Sequence, residues 1–293
     1  MEVEKEKESQ IQESARQLLA ENAVDLIIGY GKGTLPNRVT PVFIRKPEDA
    51  HMLVWNDRCE HNLVGYLNRS HSSGKIGIVV KGCDARSLVG LIKEKQITRD
   101  RLVIIGVVCN GILDTRTVGE TPVLYPSCQY CEVRIPPLYD ILIGSPDDIK
   151  ARETSDLDRE LAEFEALPPE ERWKVLEQEL QRCIRCYACR NACPLCYCEE
   201  CFVDKTQPKW ISEGLHPSDI VIYHLVRALH SAGRCGECGA CERACPMGIK
   251  LRLLTKKISR DVAELFQDKP GIDLEQPPSL YTFSADDDNS AFM

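Results

Sequence analysis

One pattern constrains this chain more than any other. Cys183-x-x-Cys186-x-x-Cys189-x-x-x-Cys193-Pro194 recurs as Cys235-x-x-Cys238-x-x-Cys241-x-x-x-Cys245-Pro246. Three closely spaced thiols on a tight loop can cover three irons of one cubane cage. The fourth points away, and the proline after it helps to turn the chain. In this spacing the fourth cysteine of each run ligates the other cluster. Cys183, Cys186, Cys189 and Cys245 are therefore the expected ligands of one [4Fe-4S] cluster. Cys235, Cys238, Cys241 and Cys193 are the expected ligands of a second. Structural zinc takes four ligands, commonly as two Cys-x-x-Cys pairs. It does not explain two triplets that are each followed by a fourth cysteine and a proline. Thiolates in such number cannot share a core without metal, so cluster binding and folding should be coupled.

The other cysteines fit the same compartment. The 293 residues hold 16 cysteines, eleven of them between 183 and 245. The first half holds Cys59, Cys83, Cys109, Cys128 and Cys131. A secreted disulfide scaffold would be short and would carry a signal peptide. Here the chain opens MEVEKEKESQ, charged and helical in character, which is no secretory signal. The expected setting is a reducing cytoplasm. A net charge of −8 with no basic stripe argues against nucleic acid as a partner. The longest apolar run, Leu102–Cys109, is far short of a membrane span.

Patterning divides the chain into an α/β part at 1–146, a charged helical linker at 147–182, a cysteine-rich domain at 183–266 and an extended or partner-bound tail at 267–293. In the first part, residues 8–21 suit a helix. Val24–Ile28, Val42–Ile44, Ile76–Val80, Leu102–Val108 and Ile141–Ile143 suit buried strands, being short runs rich in Val, Ile and Leu. Ala85–Lys95 carries Leu88, Leu91 and Ile92 at helical spacing, which predicts strand–helix–strand. Residues 156–167 and 169–182 read as helices starting near Asp156 and Pro169. A helix capped by Ser218 should run to His230, and another should span Ile249–Phe266.

The cysteine-rich domain resembles the α-helical ferredoxins of succinate dehydrogenase iron–sulfur subunits and of the C subunit of heterodisulfide reductase. The likeness rests on the paired motifs, the helix within the 41 residues between them, and the phrase Gly233-Arg-Cys-Gly-Glu-Cys-Gly-Ala-Cys-Glu-Arg-Ala-Cys-Pro246. It covers about 180–266 and implies an all-α dicluster [4Fe-4S] ferredoxin domain. No adjacent cysteine pair is present in it, so the heterodisulfide-cleaving motif is absent. His216, His224 and His230 read as surface or packing residues rather than ligands. Cys196, Cys198 and Cys201 stay unassigned, between an accessory metal site and small buried hydrophobes. The arginines within the motifs (Arg182, Arg185, Arg190, Arg234 and Arg243) either stabilise the reduced, more negative clusters or are simply solvated.

The first half resembles the β subunit of coenzyme F420-reducing hydrogenases and dehydrogenases. Lys81-Gly-Cys83-Asp-Ala-Arg-Ser-Leu88, Ile105-Gly-Val-Val-Cys109, and Cys128-Gln-Tyr-Cys131 followed by Tyr139-Asp-Ile-Leu-Ile-Gly-Ser145 match in order and spacing. Read from the residues alone, two strand-end cysteines and one Cys-x-x-Cys supply four thiolates at the sheet edge where α/β folds bind ligands. They are either the ligands of a cluster or four ordinary thiols. The resemblance implies the cluster, a third [4Fe-4S] held by Cys83, Cys109, Cys128 and Cys131, and leaves Cys59 as a buried thiol. Relatives of this kind also bind FAD. Gly29-Tyr-Gly31-Lys-Gly33 reads as a glycine-rich loop after a strand, but the third glycine and following helix of a dinucleotide fingerprint are missing. FAD stays an open alternative.

The expectation is an iron–sulfur electron-transfer subunit without catalytic residues of its own. It would relay electrons within a multi-subunit anaerobic oxidoreductase, such as a hydrogenase, a formate dehydrogenase or a heterodisulfide-reductase-like complex. The alternative is a flavin-dependent subunit exchanging a hydride with reduced coenzyme F420 or a similar donor. A zinc-stabilised scaffold is the third reading.

Overall fold

The computed structural model of the chain describes residues 2–67, 74–114, 123–151 and 159–278. Among these, 2–151 with Gly271–Leu274 form one compact unit, and 159–270 with 275–278 form another.

The first unit is α/β. Its elements are α1 (Glu2–Ala20), β1 (Leu26–Lys32), β2 (Val39–Ile44), β3 (Ile76–Val80), α2 (Gly82–Lys93), β4 (Leu102–Val107), α3 (Pro126–Gln129) and β5 (Ile141–Ile143). The sheet order is β2-β1-β3-β4-β5, and only the β1–β2 pair is antiparallel. Every residue of β3 is buried, so both faces of the sheet centre are covered. That is why the central strands read as unbroken apolar runs. β3, α2 and β4 form the expected parallel crossover. α1 is longer than its apolar stripe suggests. Ile11, Ala15 and Leu19 repeat every four residues on its buried side.

One expectation is corrected in β1. Gly29 and Gly31 lie inside the strand rather than in a loop after it. A Cβ on Gly29 would overlap the Leu53 side chain, and one on Gly31 the Val42 side chain. The glycines admit close neighbours, so they do not form a phosphate cradle.

In the second unit the described elements are α4 (Arg159–Ala166), α5 (Pro169–Leu180), α6 (Ala188–Asn191), α7 (Pro217–His230), α8 (Ala240–Arg243) and α9 (Arg252–Phe266). Asp156, the expected start of α4, lies outside the described residues. α7 begins at Pro217, with His216 rather than Ser218 at the cap. Proline suits the first helical position because its missing N–H would have no intrahelical partner there. Salt bridges from α9 to α4 use Arg252 to Glu160, and Lys257 and Arg260 to Glu165. The core joins Leu180, Ile211, Ile220, Tyr223, Ile249 and Leu251 to Cys189, with Cys183, Cys241 and Cys245 packed against it.

Candidate functional site

The two cysteine runs fold alike. Fifty-two residues separate equivalent positions (183 and 235), and the backbone repeats at that offset. Arg185 and Glu237 both have positive φ, at 50° and 53°, as do Tyr187 and Gly239, at 58° and 68°. Non-glycine residues take this conformation uncommonly, and it concentrates at functional sites. Here it aims the Arg185 N–H at Cys183 Sγ, 3.3 Å away, and the Glu237 N–H at Cys235 Sγ, 3.4 Å away. A one-turn helix follows in each copy, α6 after the first and α8 after the second.

Cys183, Cys186, Cys189 and Cys245 line one cavity, along with Tyr223, His224 and Ile249. Three come from the first run and one from the end of the second, which is the exchange expected from the spacing. His224 Nε2 lies 3.2 Å from Cys183 Sγ, and the Tyr223 hydroxyl 3.3 Å from Cys189 Sγ. Burial, then the charge of Arg227, lowers the His224 pKa to about 4. The ring is therefore a buried packing and hydrogen-bonding group.

The remaining four of the paired motifs also meet. Cys241 is under the influence of Cys193 and Cys238, and Cys235 of Cys238 and Cys241. Burial pushes the Cys241 thiol up to about 11 and raises Cys235 as well. The Arg227 charge offsets part of the rise at Cys241, and a metal beside either sulfur would favour the thiolate further.

In the first unit, three loops converge at the C-terminal ends of β3 and β4. Cys83 sits in the first turn of α2 and Cys109 two residues beyond β4, while Cys128 and Cys131 lie in and just after α3. A Cβ on Gly82 would overlap the Val133 carbonyl, and the Cys109 N–H donates to the Arg134 carbonyl at 2.9 Å. The segment after Cys131 is thereby docked on both strand ends. The Cys109 thiol is pushed up to about 12, first by burial and then by Cys128, with Cys131 also acting on it. Lys81 is acted on by both Cys83 and Cys109.

Among the described residues, no three His, Cys, Asp or Glu side chains are drawn together tightly enough to hold a single metal ion. A cubane asks for wider spacing, because each thiolate binds a different iron. The other cysteines fall outside the three sets. Cys59 is fully buried, and burial pushes its thiol up to about 12. Cys196 shares a hydrogen bond with Cys193, Cys198 is exposed, and Cys201 hydrogen-bonds Arg190.

Sequence reasoning passed over several groups. Lys81 and Asp84 form a buried ion pair at 2.8 Å, and Lys81 also bonds the buried Tyr30 hydroxyl. Lys7, buried on α1, donates to the Val108 carbonyl at 3.0 Å, next to Cys109. Lys81 stands at the head of the Lys81–Leu88 motif, so that signal was available. Lys7 and Arg227 lie on helices with no motif to mark them.

The fold and the paired cysteine runs define a class: an iron–sulfur protein with one α/β unit and one cysteine-rich unit. Residues 179–249 match the 4Fe-4S dicluster domain family. Over about nine tenths of its length the chain resembles F420-dependent formate dehydrogenase beta subunits. It is 24% identical to that of Methanocaldococcus jannaschii, over 89% of this chain and 91% of the relative. It is 24% identical to the F420-dependent formate dehydrogenase 1 subunit beta of Methanococcus maripaludis, over 90% of each. A chain of the F420-reducing [NiFe] hydrogenase complex from Methanosarcina barkeri aligns at 15% identity over 61% of this chain and 86% of its own, with a TM-score of 0.35. No helix among the described residues is long and apolar enough to cross a membrane.

Proposed function

We propose that this chain is the iron–sulfur electron-transfer subunit of a multi-subunit cytoplasmic oxidoreductase of the formate dehydrogenase and hydrogenase kind. One observation carries the reading: Cys183, Cys186, Cys189 and Cys245 line a single cavity although 55 residues lie between the third and the fourth. Only the crossed ligation of paired [4Fe-4S] clusters asks for that combination. Cys193, Cys235, Cys238 and Cys241 would hold the second cluster within an all-α ferredoxin domain. Cys83, Cys109, Cys128 and Cys131 would hold the third in the α/β unit.

When bound, such clusters take up and release one electron at a time. The protein's part is to hold the thiolates, exclude water and set the local charge. Cys235 and Cys241 are placed where burial pushes the thiol pKa up and favours the protonated form. Backbone N–H groups of Arg185 and Glu237 point at ligand sulfurs, where they stabilise negative charge. The relatives' names supply the setting, an F420-dependent formate dehydrogenase in which the matching chain is the beta subunit. A flavin gains no support from Gly29–Gly33, which is packed into and against β1.

The test uses the anaerobically purified full chain and two donors, a reduced viologen and reduced coenzyme F420. The viologen should bleach the cluster absorbance, and the hydride donor alone should not. Bleaching by the hydride donor, with FAD released on denaturation, would establish the flavoenzyme reading instead.

A further inference from the structure

α7 lies in the stretch between the two cysteine runs, yet three of its side chains reach the first run. The Tyr223 hydroxyl lies 3.3 Å from Cys189 Sγ, and His224 Nε2 lies 3.2 Å from Cys183 Sγ. One turn on, Arg227 Nη2 donates to the Cys189 carbonyl at 3.1 Å and holds the helix on that loop. Tyr223 and His224 are both buried. Neighbours in a helix project about 100° apart, which lets one helix reach two sulfurs of the same loop. The Tyr223 ring packs edge-on against Tyr187 and His224 and stacks on Phe202, so packing fixes where its hydroxyl stands.

A buried hydroxyl or ring nitrogen needs a hydrogen-bond partner. Here each has a sulfur of the first cluster set. A free thiol could supply the proton of either contact. A thiolate bound to iron has none to give, so in the loaded protein both contacts require the Tyr223 O–H and the His224 Nε2–H to donate. We propose that Tyr223 and His224 donate hydrogen bonds to ligand sulfurs of the first cluster and thereby hold its reduction potential up. This rests on the cluster assignment made above.

The physical reason is that reduction adds one negative charge to a cluster. A donor fixed beside a ligand sulfur stabilises the more negative state more than the less negative one. Burial keeps water from competing and strengthens each contact. The electron enters alone, with no proton transferred and no bond made or broken. Tyr223 and His224 act through the sulfurs, as positioning residues.

The experiment is an EPR-monitored titration of the full chain, anaerobically loaded with iron and sulfide and reduced with dithionite. Wild type is compared with Tyr223→Phe, His224→Leu and His224→Gln. Cys186→Ser marks the signal of the first cluster and Cys235→Ser that of the second. Tyr223→Phe keeps the ring and removes only the donor, so iron content should be unchanged. At the wild-type midpoint of the first cluster, its ratio of reduced to oxidised form should fall about threefold, which is about 28 mV for one electron. His224→Leu should do the same. His224→Gln carries an N–H where Nε2 stood and should titrate close to wild type. The second cluster should move less in every variant. An unmoved first midpoint in Tyr223→Phe, or an equal shift at the second cluster, overturns the proposal. So does a loss of iron in Tyr223→Phe, since the hydroxyl would then be holding the site rather than tuning it. If His224→Leu loses iron, His224→Gln decides. Retained iron with a wild-type midpoint supports the donor, and lost iron or a lowered midpoint overturns it. A wild-type chain that binds no iron and sulfide overturns the cluster assignment itself and is told apart by that count.

Discussion

Lys81 and Asp84 show how a residue pair prepares a site without touching a substrate. Both are buried, and they pair at 2.8 Å at the start of α2, flanking Cys83 in sequence. Burial works to lower the Lys81 pKa, but the Asp84 charge and hydrogen bond, with Cys83 and Cys109, together leave it raised. Asp84 also accepts the Lys81 backbone N–H at 3.1 Å, closing the first turn. Lys81→Met would leave the Asp84 carboxylate buried and unpaired, which costs about 3–5 kcal/mol. Chemical denaturation of the first unit should show a loss of that order. Lys81→Met combined with Asp84→Leu should recover most of it, since an apolar pair of similar volume is often neutral. A single-variant loss within about 0.5 kcal/mol, the range of a surface change, would contradict the pairing.

At the scale of elements, the N-terminus of α2 is where the first unit brings its thiols together. Gly82 leaves room for the Val133 carbonyl, so the segment carrying Cys128 and Cys131 can lie against the loop carrying Cys83. Gly82→Ala puts a methyl group against backbone that cannot rotate away. It should expel the Val133 segment and remove the third cluster while the ferredoxin pair remains. Iron should then fall by about four atoms per chain; an unchanged iron count would show that this docking does not hold the cluster. Much at this scale was legible. β3, β4 and β5 were visible as apolar runs because a covered parallel sheet leaves no polar face to interrupt them. The Gly29 and Gly31 positions misled, since the side chains that demand glycine there, Leu53 and Val42, are distant in sequence. Ser218 misled for a different reason. It has the right chemistry for a cap, yet Pro217 suits the first helical position and moved the boundary.

For the whole molecule, the strongest inference was available before any fold was known. The crossed sets were written in the spacing, because three thiols on one loop cannot also supply the fourth corner. Cys183, Cys186, Cys189 and Cys245 line one cavity, and α6 and α8 repeat at the same offset as the cysteines. The third set was less legible. Its four thiols come from three loops, and only the sheet brings Cys83 and Cys109 to one edge. Arg227 was not legible at all, because a cation on an amphipathic helix looks solvated until the helix is packed. The two units answer to one claim, that thiols gathered by the fold are there to hold iron and sulfide. Counting iron, acid-labile sulfide and zinc in the anaerobically purified full chain tests that claim most directly. The account predicts about twelve iron and twelve sulfide per chain with no stoichiometric zinc. About eight iron would contradict the third set, and zinc without sulfide would contradict the whole.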